Sequence, residues 1–501
     1  MRPTFMGFET ATRGLMVNQK ALDIVGNNLT NVSTMGYTRQ RVDLVSLNVN
    51  MRYTRYNQNS TPYAGQGSAV YGVSQVRDAF LDKRFREEYS DVGYYDTVSS
   101  VLTDLHAAID EIAPATMTTA MYDFEAAWNE LLQKANETTN SANILAKATQ
   151  IVSVFQQMSQ KIDNVWNQQE YNLKNDVNQV NSILQRIALL NDEISREKFN
   201  CMEVNNKNYQ PLELLDKRNV LLDELSKFGD VTFREEEDGM VTVFMGGHKA
   251  VDGKEYETMS YAVDRYDPNY PSVNVIWDST GKDITFSSGT IKGYLDMMNG
   301  RGIHSVSSTN VNFSQGIHYY KEKIDMFANT FADAFNRAIA IDNTNPVEYK
   351  TLFTFKDDTI SAANIRVNEE WVKDATYITT EVRDKIEKGG DDNSYAAKAY
   401  QIFKTGLDFG EFKGTINEYI EFYSTTKLSN DTAYNQSRLD AVGSISSDIL
   451  NQIQEISGVS MEEEGVDMLM YKKAYDAVSR VFTTLDEMLD KLINGTGVVG
   501  R

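Results

Sequence analysis

Apolar residues recur through most of this chain at three- and four-residue steps, the spacing of one face of an α-helix. Val98, Val101, Leu105, Ala108 and Ile112 form one stripe, closed by Pro114. Ile144, Ala148, Ile151, Phe155, Met158, Ile162 and Val165 form another, and Leu173, Val177, Val180, Leu184, Ile187 and Ile194 carry it onward. No glycine stands between Gly93 and Gly229, and Pro114 and Pro211 are the only prolines there. So long a stretch without breakers predicts nearly continuous helix. From Ser141 to Asn200 it would make a rod of roughly 90 Å at ~1.5 Å per residue, and hence an elongated molecule.

The pattern changes after Gly229. Val231 and Phe233 alternate with polar neighbours, Asp238-Gly239 supplies a turn, and Val241, Val243 and Met245 resume the alternation, which predicts a hairpin. Val273, Val275 and Trp277, then Gly281, then Ile284 and Phe286 predict a second. Helix returns near Thr290, with Ile324, Phe327, Phe331, Ala334, Phe335 and Ala338 on one face. It returns again from about Thr432, with Leu439, Val442, Ile445, Ile449, Ile453 and Ile456 ending at Gly458. Glu462-Glu463-Glu464-Gly465 reads as a short acidic link.

Both ends of the chain carry narrow seams. Phe8, Leu15, Leu22 and Leu29 recur every seven residues, with Ala11, Val25 and Val32 as companions and Asn18 as the polar exception. At the other end Tyr471, Ala474, Val478, Val481, Leu485, Met488 and Leu492 fall on alternating three- and four-residue steps, stopped by Gly495. Each helix is short for stability alone in water, so the simplest partner for each is the other. The expected fold is mainly α with inserted β structure, an axial multidomain chain whose terminal helices pack as a coiled coil. Its expected segments are a terminal assembly domain (1–35 plus 466–501), a helical rod (36–228 plus 416–465), a small β domain (229–288), returning helices (289–342) and a mixed insertion (343–415).

Composition narrows the function. The 71 acidic against 49 basic residues give a formal charge of −22, which repels nucleic acid and anionic lipid. Cys201 is the only cysteine, so no intramolecular disulfide or cysteine-based zinc site can form. No apolar run approaches the ~18 residues of a membrane helix. Glu9 and Arg13 interrupt any apolar core at the N-terminus, so no cleaved signal peptide is expected.

Directly after the first seam comes Asn27-Asn28-Leu29-Thr30-Asn31-Val32-Ser33-Thr34-Met35-Gly36-Tyr37-Thr38-Arg39. Its Asn and Ser side chains can cap a helix end, Gly36 can take the positive φ that terminates it, and Tyr37 offers a large amphipathic contact. The segment resembles the signature of flagellar rod, hook and hook-associated proteins, with Asn27, Asn28, Asn31, Gly36 and Tyr37 as its turn motif. Leu212 to Ser226 running into Asp230-Val231-Thr232, and the stretches Gly458–Glu464, Tyr471–Tyr475 and Leu485–Asn494, resemble the hook-associated protein 1 family.

That resemblance implies a structural role at the hook–filament junction. It implies a homo-oligomeric ring with hook protein on one side and a second junction protein on the other. It further implies export in unfolded form through the flagellar type III apparatus, with a cytoplasmic chaperone on the C-terminal helix. Seams left unburied in a monomer would then order against neighbouring subunits. The alternatives are another axial component, such as the hook or filament-side junction protein, and a free extracellular helical adhesin.

Enzyme motifs are wanting. His106, His248, His304 and His318 show no i, i+4 pair and no His-Glu-x-x-His. Gly495-Thr496-Gly497-Val498-Val499-Gly500 fits Gly-x-Gly-x-x-Gly, yet a helix precedes it where a dinucleotide site needs a strand. Cys201 has no evident basic partner. No catalytic residue, metal ligand or cofactor is expected.

Overall fold

The computed structural model describes residues 6–47, 66–110, 116–134, 138–203, 210–236, 238–302, 314–339, 349–356, 359–379 and 394–495. Ile112, Pro114, His304, Thr496 to Arg501, and less than a third of 343–415 therefore lie outside the described residues, as does the side chain of Cys201. The chain divides into two compact units. The first holds Met1–Tyr89, Asn181–Thr258 and Gly443–Arg501, and the second holds Ser90–Val180 and Met259–Val442.

In the first unit α1 (Met6–Thr30) leads into a hairpin of β1 (Gln40–Ser46) and β2 (Ser68–Gln75). Parts of α2 (Ala79–Asp110) and of a later helix, α4 (Thr138–Glu203), follow. Then come α5 (Leu212–Phe228) and an antiparallel four-stranded sheet of β3 (Val231–Glu235), β4 (Val241–Met245), β5 (His248–Asp252) and β6 (Glu255–Tyr256). Asp238-Gly239 forms the predicted turn, with Gly239 at φ 87°. The unit closes with the end of α11 (Leu428–Ser457) and with α12 (Met461–Asn494).

In the second unit α3 (Thr118–Gln133) and the first two-thirds of α4 (Thr138–Glu203) pack with α6 (Thr290–Asn299) and α7 (Ile317–Asn336). Every residue of the stripe from Ile144 to Val165 is buried. Its Phe155 meets Phe327 of α7 at 5.0 Å, and Phe331 meets Phe335 at 4.7 Å. Phe335 in turn lies 5.4 Å from Phe403, just past α9 (Ser394–Ile402). The described part of 343–415 is built of small pieces. These are a hairpin of β9 (Phe353–Phe355) and β10 (Ile365–Val367), α8 (Glu369–Lys373), a 3-10 turn at Ala375–Ile378, α9, and the pair β11 (Leu407–Asp408) and β12 (Lys413–Gly414). Then α10 (Ile416–Glu421), capped by a Thr415–Glu418 capping box, leads toward α11.

Three elements differ from the sequence reading. Strand β8 (Ser272–Trp277) does turn back through Gly281, Trp277 N–H donating to the Lys282 carbonyl (3.1 Å) and Ile284 N–H to that of Val275 (2.8 Å), but its longer partner is upstream β7 (Met259–Asp264), in a six-pair antiparallel ladder. Ile276↔Asp283 is the single bridge on the other side. The β7 pairing satisfies a full row of backbone groups across a long turn that local turn chemistry does not reveal. The stretch 229–288 holds two separate sheets, which fall in different units. Third, Glu462-Glu463-Glu464 is the first turn of α12 rather than a link. Ser460 caps it by accepting from the Glu463 N–H, and acidic side chains suit the positive end of a helix. The face of α11 stays largely open: Ile449 is buried, while Ile445 and Ile456 are exposed.

Candidate functional site

The first and last helices pair antiparallel within one chain. A Cβ built on Gly7 would stand 3.2 Å from Leu485, and one built on Gly14 3.2 Å from Val478. Asn28 hydrogen-bonds Glu464 at 3.1 Å, and Phe8 meets Phe482 edge-on at 5.2 Å. Contact thus recurs every seven residues on α1 for every seven retraced on α12. Ala21, which is buried, occupies the same repeat opposite Tyr471.

The contact row on α1 is therefore Gly7, Gly14, Ala21 and Asn28, one residue earlier than the predicted Phe8, Leu15, Leu22 and Leu29, which are half-buried along its flank. The companions Ala11 and Val25 are buried, as are Val17 and Ile24, while Val32 is exposed. Glycine and alanine carry little hydrophobic weight, so a search for large apolar residues passes over a row that lets two helix backbones approach closely. On α12 Tyr471, Ala474, Val478 and Leu485 are half-buried. Val481, Met488 and Leu492 remain 54%, 57% and 54% exposed.

At the far end of the pair the turn motif forms a polar knot. The Asn28 side chain is buried with its hydrogen-bonding capacity filled. Its Nδ2 donates to the Gln40 carbonyl (3.0 Å) and to Glu464 Oε2 (3.1 Å). Its Oδ1 accepts from the Tyr37 hydroxyl (2.8 Å) and the Gln40 N–H (3.0 Å). Arg39 Nε donates to Glu464 Oε1 (2.8 Å) and Nη1 to Glu463 (2.9 Å), while its backbone N–H reaches the Ser457 carbonyl at 2.8 Å. Asn27 and Asn31 complete the turn, Asn31 Nδ2 donating to both oxygens of Asn27 at 3.0 Å.

The same turn grips α5. Thr38 donates to Asp216 through its hydroxyl (2.6 Å) and its N–H (3.2 Å). Gly36, at φ 76°, lies against Val220. Behind them Arg77 pairs with Asp82 at 2.5 Å and Arg86 with Asp223 at 2.6 Å. Burial, and then the charges of Asp216 and Glu464, push the Tyr37 phenol well above its ordinary range, so it stays a neutral donor. Burial also raises the Asp216 and Asp223 carboxyls, against hydrogen bonds from Thr38 and the charge of Arg86 respectively. The three segments singled out by resemblance, 27–39, 212–232 and 458–494, meet at this knot. Sequence reasoning missed Asp216, Val220, Gln40 and Glu464 as partners, since nothing in their spacing ties them to residue 28.

The chemistry offered by Asn28, Thr38 and Arg39 is structural: their hydrogen bonds and the Arg39 ion pairs tie chain segments together. Among the described residues no group of three His, Cys, Asp or Glu is placed to hold a metal ion. His106 faces Ser429 (3.1 Å), His248 faces Glu257 (2.9 Å) and His318 faces the Pro271 carbonyl (2.7 Å). No described helix is long and apolar enough to cross a membrane.

Comparison with known proteins agrees at both termini and in the middle. Residues 102–342 match the flagellar hook-associated protein FlgK helical domain, 8–38 the flagella basal body rod protein family and 450–495 the C-terminal domain of flagellar basal body rod FlgEFG proteins. Flagellar hook-associated protein 1 of Bacillus subtilis is 28% identical over 538 aligned positions, covering 100% of both chains. That of Escherichia coli is 22% identical over 97% of this chain and 98% of its own. A solved flagellar hook junction protein FlgK from Burkholderia pseudomallei superposes on 55% of this chain and 46% of its own, with 16% identity and a TM-score of 0.44. On the sequence likeness rather than that superposition, the chain is similar along its whole length to flagellar hook-associated protein 1.

Proposed function

We propose that this chain is a structural subunit of the bacterial flagellum at the hook–filament junction, assembled through its terminal helices. The observation that carries this reading is the outer row of α12. Val466, Met470, Val481, Met488 and Leu492 are all more than half exposed. At 3.6 residues per turn they share an arc of about 80°, beside the face that α1 covers. A row of that kind is costly in water and suits helices of neighbouring subunits.

The finer expectations follow from the family. Copies form a ring, with hook protein on one side and a second junction protein on the other. The chain is exported unfolded by the flagellar type III apparatus, and a cytoplasmic chaperone shields the C-terminal helix beforehand. The absence of disulfides is compatible with threading, and the network at residues 27–40 supports a scaffold rather than an enzyme. Mixing the purified chain with isolated hooks tests the reading. It should occupy the hook's end and stop, as a junction piece does. Continuous extension would indicate a hook protein instead, and no binding would remove the flagellar role.

A further inference from the structure

We infer that the buried Asn28–Glu464 pair, clasped by Arg39, sets the register of the terminal helix pair, while the apolar seam supplies adhesion without choosing a register. This goes beyond the proposed function and holds whether or not the pair assembles with other copies.

The two contact rows are degenerate. In the observed register Gly7 faces Leu485, Gly14 faces Val478 and Asn28 faces Glu464, and the same seven-residue step sets the buried Ala21 opposite Tyr471. Because both rows repeat every seven residues, the helices can slide by one heptad and again set small residues against large ones. Gly7 would then face Leu492, Gly14 would face Leu485 and Ala21 would face Val478. Leu492, now 54% exposed, would be covered by Gly7. The small-to-large rows therefore do not oppose the slip, and the Phe8–Phe482 contact would be exchanged for Phe8 against Leu489 and Phe482 against Leu15.

The polar pair does. After the slip Asn28 would face Tyr471, and Glu464 would lie opposite chain beyond Thr30, where α1 ends. Glu464 is 1% exposed in the observed register, and its two oxygens take the Arg39 Nε and Asn28 Nδ2. Asn28 is 1% exposed with all four of its hydrogen bonds made. Separating the two takes from Asn28 its one hydrogen bond to α12 and strips the buried Glu464 carboxylate of both the Asn28 amide and the Arg39 guanidinium, a cost the apolar rows cannot offset. A buried polar residue that fixes register in an otherwise permissive seam is the best-attested use of such groups in paired helices. Arg39 adds a clamp from outside the pair. It holds Glu464 from the turn after α1, and its backbone N–H holds Ser457 just before α12.

Disulfide trapping in the full chain, with Cys201→Ser to remove the native thiol, tests this. Ala21→Cys combined with Tyr471→Cys reports the observed register, and Ala21→Cys combined with Val478→Cys reports the slipped one. Peptide mapping after mild oxidation reads both. With Asn28 and Glu464 in place, only the 21–471 disulfide should form. In the Asn28→Leu/Glu464→Leu background the helical circular dichroism should persist, and the 21–478 disulfide should rise to a yield comparable with 21–471. The inference is overturned if 21–471 remains the sole product there. It is equally overturned if both disulfides already form with the polar pair intact, which would mean that the pair sets no register. Loss of both disulfides in the leucine background also overturns it, because the polar pair would then supply adhesion itself.

Discussion

The bare Cα of Gly36 rests on Val220: a Cβ at residue 36 would stand 2.2 Å from Val220 Cγ2. The contact fastens the turn after the first helix to α5, and the φ of 76° there disfavours any side chain independently. Gly36→Ala should therefore cost at least about 2 kcal/mol, from strain and overpacking together. Gly26 has nothing within 4 Å of a built Cβ and sits inside α1, so Gly26→Ala should be neutral or stabilise by up to ~1 kcal/mol. Urea unfolding of both variants checks the contrast, and equal midpoints would show that the Gly36 contact is unimportant.

Asp216 is the other grip on the turn. Asp216→Ala leaves the buried Thr38 hydroxyl and N–H without their acceptor, a loss of roughly 1–3 kcal/mol. The sign of its pH dependence is set by burial, which raises its carboxyl above the unfolded value of 3.8. The stability owed to this group is therefore full below that value and lost as pH rises through the folded one. Relative to the non-titrating Asp216→Asn, the unaltered chain should gain stability as pH falls through this window. A difference that moves the other way would contradict the assignment.

His318 gives the opposite slope in the second unit. Burial, with Lys321 and Arg301 nearby, lowers it from 6.5 to about 4 despite its hydrogen bond to the Pro271 carbonyl. A base with a depressed folded pKa contributes stability above its unfolded value, and that stability is lost as pH falls from 6.5 toward 4. The loss amounts to roughly 3 kcal/mol at the acid end. His318→Gln should flatten that part of the stability–pH curve. An unchanged slope in the variant would place the acid sensitivity elsewhere.

Asn191 joins α4 to the four-stranded sheet. Its Nδ2 donates to the Val241 and Gly253 carbonyls at 2.8 Å, and its Oδ1 accepts from the Val241 N–H and from Arg218, both at 3.1 Å. Asn191→Ala should cost about 2–3 kcal/mol and speed amide exchange at Val241, whose N–H loses its acceptor. Protection at Val241 equal to that of the unaltered chain would count against it.

The sequence shows some of this directly and hides the rest for physical reasons. The stripe from Ile144 to Val165 is legible because a helix buried along one face must place large side chains at that spacing. Asp238-Gly239 is legible because few other residues accept its turn. The packing row of α1 is shifted by one residue from the readable heptad because Gly7, Gly14 and Ala21 work by being small. Glu464 reads as part of a solvated acidic run, although its partners Asn28 and Arg39 lie more than four hundred residues away in the chain. The β7–β8 pairing is hidden because its turn, from Arg265 to Pro271, follows no short hairpin rule. What identifies the family, the turn at 27–39, is local; what the turn holds together is not.

Assembly through the paired terminal helices is tested most directly by offering isolated hooks three purified chains: the full chain, one lacking residues 1–32 and one lacking 466–501. Bound protein at the hook ends is the readout, and circular dichroism shows whether the 94–228 helices stay folded. The full chain should bind, and both truncated chains should remain in solution with those helices intact. Binding of either truncated chain at the level of the full one would contradict assembly through the terminal pair.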